Sequence, residues 1–146
     1  MIYVLQILSI QIAISLAKHD APAVIHFENF GADPVETSRF HRYNSWVKFF
    51  FCCACCFIMC DHLSEWMEGI KGGILSFLWI YLVFDIALNM ERSKIQAEVK
   101  RQWYYLGSHD SDGRRWQKWF KKDAGKWKAV IIGGTIAIIN VLIRVL

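Results

Sequence analysis

The apolar positions of the chain fall into four blocks nearly free of charge, and most charged residues lie between them. The first block is MIYVLQILSIQIAISLA, residues 1–17, and the second covers 46–60, with Lys48 near its start. The third is ILSFLWIYLVFDIALNM, 74–90, and the fourth is AVIIGGTIAIINVLIRVL, 129–146. Blocks segregated this sharply point to a bilayer rather than to a soluble core. Hydrocarbon offers no water to an open strand, so each block is expected to be helical. At 1.5 Å per residue the first block reaches about 25 Å, short for a hydrocarbon core of about 30 Å but within tolerance. The fold class this predicts is all-α: an integral membrane protein with four transmembrane helices, a basic cytoplasmic loop and interfacial helices. Gly72-Gly73 is expected to break the chain before the third block.

Charge sets the orientation. With four spans, residues 18–48 and 91–128 share one side of the membrane. Of the 17 Lys and Arg residues, only Lys71 and Arg144 fall on the other. The positive-inside rule then places loops 18–45 and 91–128 in the cytoplasm and both termini outside. Ser15-Leu16-Ala17 would suit a signal cleavage site, but no Lys or Arg precedes the first block. Cleavage there would also export the basic segment, so a retained first helix is expected.

Between the blocks the chain carries turn and interface chemistry. Loop 18–45 holds an Ala-Pro and an Asp-Pro step, which argue against a long helix before Glu36. Thr37 or Ser38 is expected to cap the helix that follows. His19, His26 and His41 are too scattered to be read as a metal set. Past Cys60 the helix is expected to continue, with Leu63, Trp66, Met67 and Ile70 facing the outer interface. Glu91, Lys94 and Glu98 are spaced to support a helix projecting from the third span. Asp110-Ser111-Asp112-Gly113 lacks the later ligands of a calcium loop and is read as a capped turn. The stretch RRWQKWFKKDAGKWK then sets Trp116, Trp119, Phe120 and Trp127 among Lys121, Lys122 and other bases. Aromatic and basic residues directly before a span suit an anionic cytoplasmic leaflet. Stacking aromatics among lysines also serve nucleic acid. The tether to a span favours lipid, and no nucleic-acid partner is expected.

All five cysteines lie in FFFCCACCFIMCDH, residues 49–62. On a helix Cys52, Cys56 and Cys60 share one face and Cys55 lies elsewhere. No second C-x-x-C pair follows, so the zinc spacing is missing, and adjacent cysteines of one helix cannot bridge. They are read as small apolar packing residues, with acylation or a redox link between copies as the alternative. Asp61-His62 has no matching ligand pair. No metal, cofactor or catalytic set is expected: the chain has no HExxH and no phosphate-binding glycine loop.

Ionisable groups inside a span are functional candidates by default. Asp85 is the only acid in a predicted span. Lys48 enters from the same side, and Asn89 and Arg92 follow Asp85 at i+4 and i+7. One reading is a proton or cation site. The other is a structural ion pair with Lys48 or Arg92, favoured because a working pathway would show more intramembrane polar groups. Gln6 in the first span and Asn140 in the fourth lie at similar depth below the outer surface. Gly133 and Ala137 form a small-xxx-small face on the fourth span. Together these predict that the first and fourth helices are neighbours, with Gln6 close to Asn140.

The stretches HRYNSWVK and FDIALNMER…WYYLGSHDSDGRRW resemble a class of small uncharacterised membrane proteins of bacteria and their prophages. The matching positions are Asp85, Asn89, Arg92, Trp103, Tyr104, Gly107, Asp112 and Arg114. The resemblance implies a membrane protein, transfers no site, and suggests the plasma membrane of a bacterium. The function expected is non-enzymatic: a structural or interaction component that packs with copies of itself or with a membrane protein partner. The alternative is a holin-like pore former.

Overall fold

The computed structural model describes residues 2–30, 34–60, 66–97, 103–104 and 111–145. In order these form α1 (Ile2–Phe30), α2 (Pro34–Met59), α3 (Trp66–Ile95), α4 (Ser111–Phe120), a 3-10 turn (Lys121–Asp123) and α5 (Ala124–Val145). No strand occurs among the described residues. Three stretches are long and apolar enough to cross a membrane: Ile2–His26, Trp66–Ile95 and Ala124–Ile143. The apolar part of α2, Ser45–Met59, is shorter.

The distribution of side chains is that of a protein in hydrocarbon. Large apolar residues such as Val4, Ile7, Phe49, Phe57, Phe77, Val130 and Ile138 face outward. Small or polar residues fill the interior, among them Ser9, Ala13, Ala17, Ala21, Gly72 and Ser76. Lipid tails are as apolar as Leu, so helices gain little by hiding Leu from them. They associate where small residues let backbones approach. On α1 the buried line recurs every fourth residue: Leu5, Ser9, Ala13, Ala17, Ala21, Ile25.

Helix α3 is the centre of the bundle. It packs most extensively on α1, then on α2 and α5, while α4 packs on α5. Helix α2 runs opposite to α3. Cys60 meets Gly69 at one end, Cys56 meets Gly73, and the Lys48 ammonium lies 3.5 Å from the Phe84 ring centre at the other. Helix α5 also runs opposite to α3, since Lys128 reaches Asp85 while Asn140 reaches the level of Trp79 through Gln6. A small apolar core of Leu75, Ile132 and Ile136, flanked by Ile2, ties α1, α3 and α5 together.

Several expectations are corrected. Residues 18–30, where no long helix was expected, are helical, and the helix expected from Thr37 or Ser38 already begins at Pro34. Helix α1 passes through Pro22, which removes one backbone donor and would break a free helix. Burial of Ala17, Asp20, Ala21 and Ile25 on both sides of Pro22 keeps the chain helical through it. Helix α2 starts at Pro34, ahead of Thr37 and Ser38, because proline is pre-set for the first helical position. It ends at Met59 and does not run on to Ile70. Trp66, Met67 and Ile70 open α3 instead, all exposed, and Leu63 lies outside the described residues. Gly72-Gly73 is buried inside α3 and breaks nothing. Helix α3 stops at Ile95, and Glu98 lies outside the described residues. Asp112 and Gly113 belong to the first turn of α4.

Candidate functional site

The polar residues of the apolar helices gather at two levels. The first is a clasp within the bundle. Gln6 donates from Nε2 to Asn140 Oδ1 at 2.8 Å, and its Oε1 accepts the Trp79 indole N–H at 2.9 Å. Asn140 also donates to the carbonyl of Ile136 at 3.0 Å. Three helices thus share one amide. Gln6 and Asn140 are brought together as their depth predicts, but the surface expected to permit it is not used. A side chain added at Gly133 or Gly134 would meet nothing within 4 Å, and Ala137 is exposed. The long Gln6 side chain makes the reach, so α1 need not lie flat on α5.

The second level lies about two turns along α3. Lys128 donates to Asp85 Oδ2 at 2.6 Å. Its ammonium also sits 3.5 Å from the centre of the Tyr81 ring, a cation–π contact. The Tyr81 hydroxyl accepts the indole N–H of Trp116 at 3.1 Å, which pins α4 against α3. Lys128 is 5% exposed at the side chain and Asp85 28%. The partner of Asp85 is therefore Lys128, not Lys48 or Arg92. Lys48 faces Phe84 from α2, and Arg92 is buried two turns beyond Asp85. The fourth helix brings its own base to the third because α5 is antiparallel to it. Asn89, also buried, donates to the carbonyl of Trp103 at 3.1 Å.

A small cavity of about 10 Å3 adjoins the ion pair, lined by Leu82, Asp85, Ile86, Trp103, Tyr104, Gly125, Lys128 and Ala129. That is room for roughly one water and no larger group. Gly125 is required here: a Cβ on it would collide with the backbone carbonyl of Tyr104. Lys126, on the outer side, pairs with Asp123 at 3.3 Å and lies over the Tyr104 ring.

Of the residues expected to anchor the chain at a lipid surface, Trp116, Phe120 and Trp127 form a stack with ring centres 5.7 Å apart at each step. Trp119 stands outside the stack, 79% exposed. Lys121 is exposed and takes a left-handed backbone (φ 49°), which turns the chain from α4 into α5. The side chain of Lys122 lies outside the described residues. Among the described residues, no three His, Cys, Asp or Glu side chains converge as a ligand set.

The cysteines serve the α2–α3 contact. Cys60 Sγ and Cys56 Sγ occupy the space that side chains at Gly69 and Gly73 would take. Met59 Cγ would stand 2.7 Å from a Cβ on Gly72. Cys55 is buried and none of the five is bonded to another. Three features escaped the sequence reading: the Gly69-xxx-Gly73 face, the every-fourth line of small residues on α1, and Lys128 as a site residue. The first two carry the small-xxx-small spacing that was sought only in α5. Lys128 was counted among loop bases because it ends a basic run.

No family model, no curated protein and no solved structure matches the chain.

Proposed function

We propose that the chain is a four-span membrane protein with a non-enzymatic structural or interaction role, its termini outside and its basic segment 91–128 in the cytoplasm. The observation that carries this reading is that the amides of the clasp, and the ion pair at the inner edge of the bundle, bond one another across helices. Gln6, Trp79 and Asn140 bond one another, and Asp85 is matched by Lys128. Groups spent on one another fasten helices. A conduit or a catalyst would turn such groups toward a passage or a pocket, and the cavity beside Asp85 has room for only about one water. The short apolar helix of α2 supports a fourth span because it runs antiparallel to α3 along a buried glycine face. The basic α4 and its aromatic stack support contact with an anionic cytoplasmic leaflet. The resemblance to small bacterial and prophage membrane proteins supports a bacterial plasma membrane.

Reporter fusions test the topology. A fusion after Leu146 is expected to read as exported and one within 105–110 as cytoplasmic; a cytoplasmic reading after Leu146 would remove the fourth span. Purified protein in dye-loaded vesicles is expected to leave the dye inside. Rapid leakage would replace this reading with the pore-forming one.

A further inference from the structure

The two polar boundaries of the bundle lie unusually close together. At the inner boundary three elements converge on residues 81–85 of α3. Helix α4, a basic helix with Lys118 and Trp119 exposed, is bonded through Trp116 to Tyr81. Helix α5 brings the Lys128 ammonium to Asp85 and Tyr81, and α2 brings the Lys48 ammonium to Phe84. A helix as polar as α4 cannot lie deep in hydrocarbon, so its bond to Tyr81 fixes the level of the interface.

At the outer boundary Lys71 pairs with Glu68, both side chains partly exposed. At 1.5 Å per residue, Lys71 and Asp85 are about 21 Å apart along α3, and Glu68 and Asp85 about 26 Å. Helices α5 and α2 agree, whereas the apolar stretch of α1, Ile2–His26, is longer. On α5, residues 129–143 cover about 23 Å, and on α2, residues 49–59 cover about 17 Å. An ordinary hydrocarbon core is about 30 Å thick. Tilting a helix only shortens its projection on the membrane normal. Nor can the inner lysines reach further to make up the difference. Lys128 is held by Asp85 and almost fully buried, and Lys48 is already turned onto Phe84.

We propose that this protein is fitted to a bilayer with a hydrocarbon core of about 21–26 Å, so that its lipid partner is one of short acyl chains. In a thicker membrane the lipid beside it must thin, or copies must gather to share the thinned zone. The proposal rests on the reading that the chain spans the membrane.

The full chain is reconstituted in phosphatidylcholine vesicles with monounsaturated chains of 14, 18 or 22 carbons. Each lipid competes with a brominated 18-carbon lipid that quenches tryptophan fluorescence. The seven tryptophans of the chain supply the signal. The relative association with 14-carbon lipid is expected to be the highest and several-fold above that with 22-carbon lipid. A maximum at 18 or 22 carbons, or a flat profile, would overturn the thin-bilayer fit while leaving the spans standing. Release of the protein from all three vesicles by alkaline carbonate would instead overturn the spanning reading beneath it.

Discussion

Against α2, helix α3 presents Gly69, Gly72 and Gly73, and against α1 and α5 it presents Trp79, Tyr81 and Asp85. The first contact is steric. Sulfur and thioether atoms of α2 sit where α3 has no side chains, and the two backbones come close. The second is polar. A few hydrogen bonds, one ion pair and the small core of Leu75, Ile132 and Ile136 hold α5, whose Gly133 and Gly134 stand open. The comparison teaches that a small residue in a membrane helix marks a contact only when a partner fills the space above it. The space above Gly69, Gly72 and Gly73 of α3 is filled, as is that above Gly125 at the start of α5; the space above Gly133 and Gly134 is not.

The largest effect is expected on the steric side. Gly69→Leu should detach α2 altogether, because its side chain would meet Cys60 Sγ and the Cys56 carbonyl, the latter 2.7 Å from the added Cβ. Even Gly73→Ala should cost about 1–3 kcal/mol as overpacking, read from unfolding in detergent micelles. Cys56→Ala should restore much of that loss by removing the sulfur. Cys60→Ala should fail to rescue Gly69→Ala, because the carbonyl of Cys56 remains. Equal rescue in both pairs would mean that the sulfurs alone set the fit.

On the polar side Asp85→Leu should cost about 1–3 kcal/mol, less than a fully buried pair because Asp85 is partly exposed. Asp85→Asn should cost less, since the amide can still accept from Lys128. Adding Lys128→Met to Asp85→Leu should recover stability over Asp85→Leu alone. No recovery would show that each charge has work apart from the other.

Gln6→Leu and Asn140→Leu should each cost about 0.6 kcal/mol, the usual worth of a hydrogen bond between membrane helices. The backbones of α1 and α5 lie beyond disulfide reach, so cysteines at positions 6 and 140 should be joined within one chain by a short bis-maleimide linker and not by direct oxidation. The background for this has all five native cysteines changed to Ala, and it is expected to insert and fold. Failure to cross-link would place α1 away from α5. The smallest effect belongs to Gly134→Ala, which should fall within about 0.5 kcal/mol of the parent or stabilise slightly through helix propensity. A loss comparable to that of Gly73→Ala would erase the contrast between the two sides.

Much of the architecture was legible because hydrocarbon is a simple solvent. Charge-free blocks declare themselves, and the depth of Gln6 and Asn140 was enough to pair them. Helix ends were less legible. Pro22 and Gly72-Gly73 carry strong local signals against a continuous helix, and each was overruled by burial against a neighbour that lies far away in sequence. The partner of Asp85 was missed for a related reason. Proximity along the chain favoured Arg92, whereas the antiparallel return of α5 brings Lys128 from 43 residues away. Which base arrives depends on the register of two helices, and no single helix encodes that.

That separation also has a consequence in time. A ribosome adds about 5–20 residues per second. Asp85 is therefore synthesised about 2–9 s before Lys128, and Gln6 about 7–27 s before Asn140. The nascent chain must shelter the Gln6 amide while its eventual mate is still unsynthesised. Both fastenings close only with the arrival of α5. A chain stopped before Ala124 is expected to insert and yet to turn over faster in cells than the full chain, as a pulse-chase would register; equal lifetimes would show that the earlier helices are already locked without it.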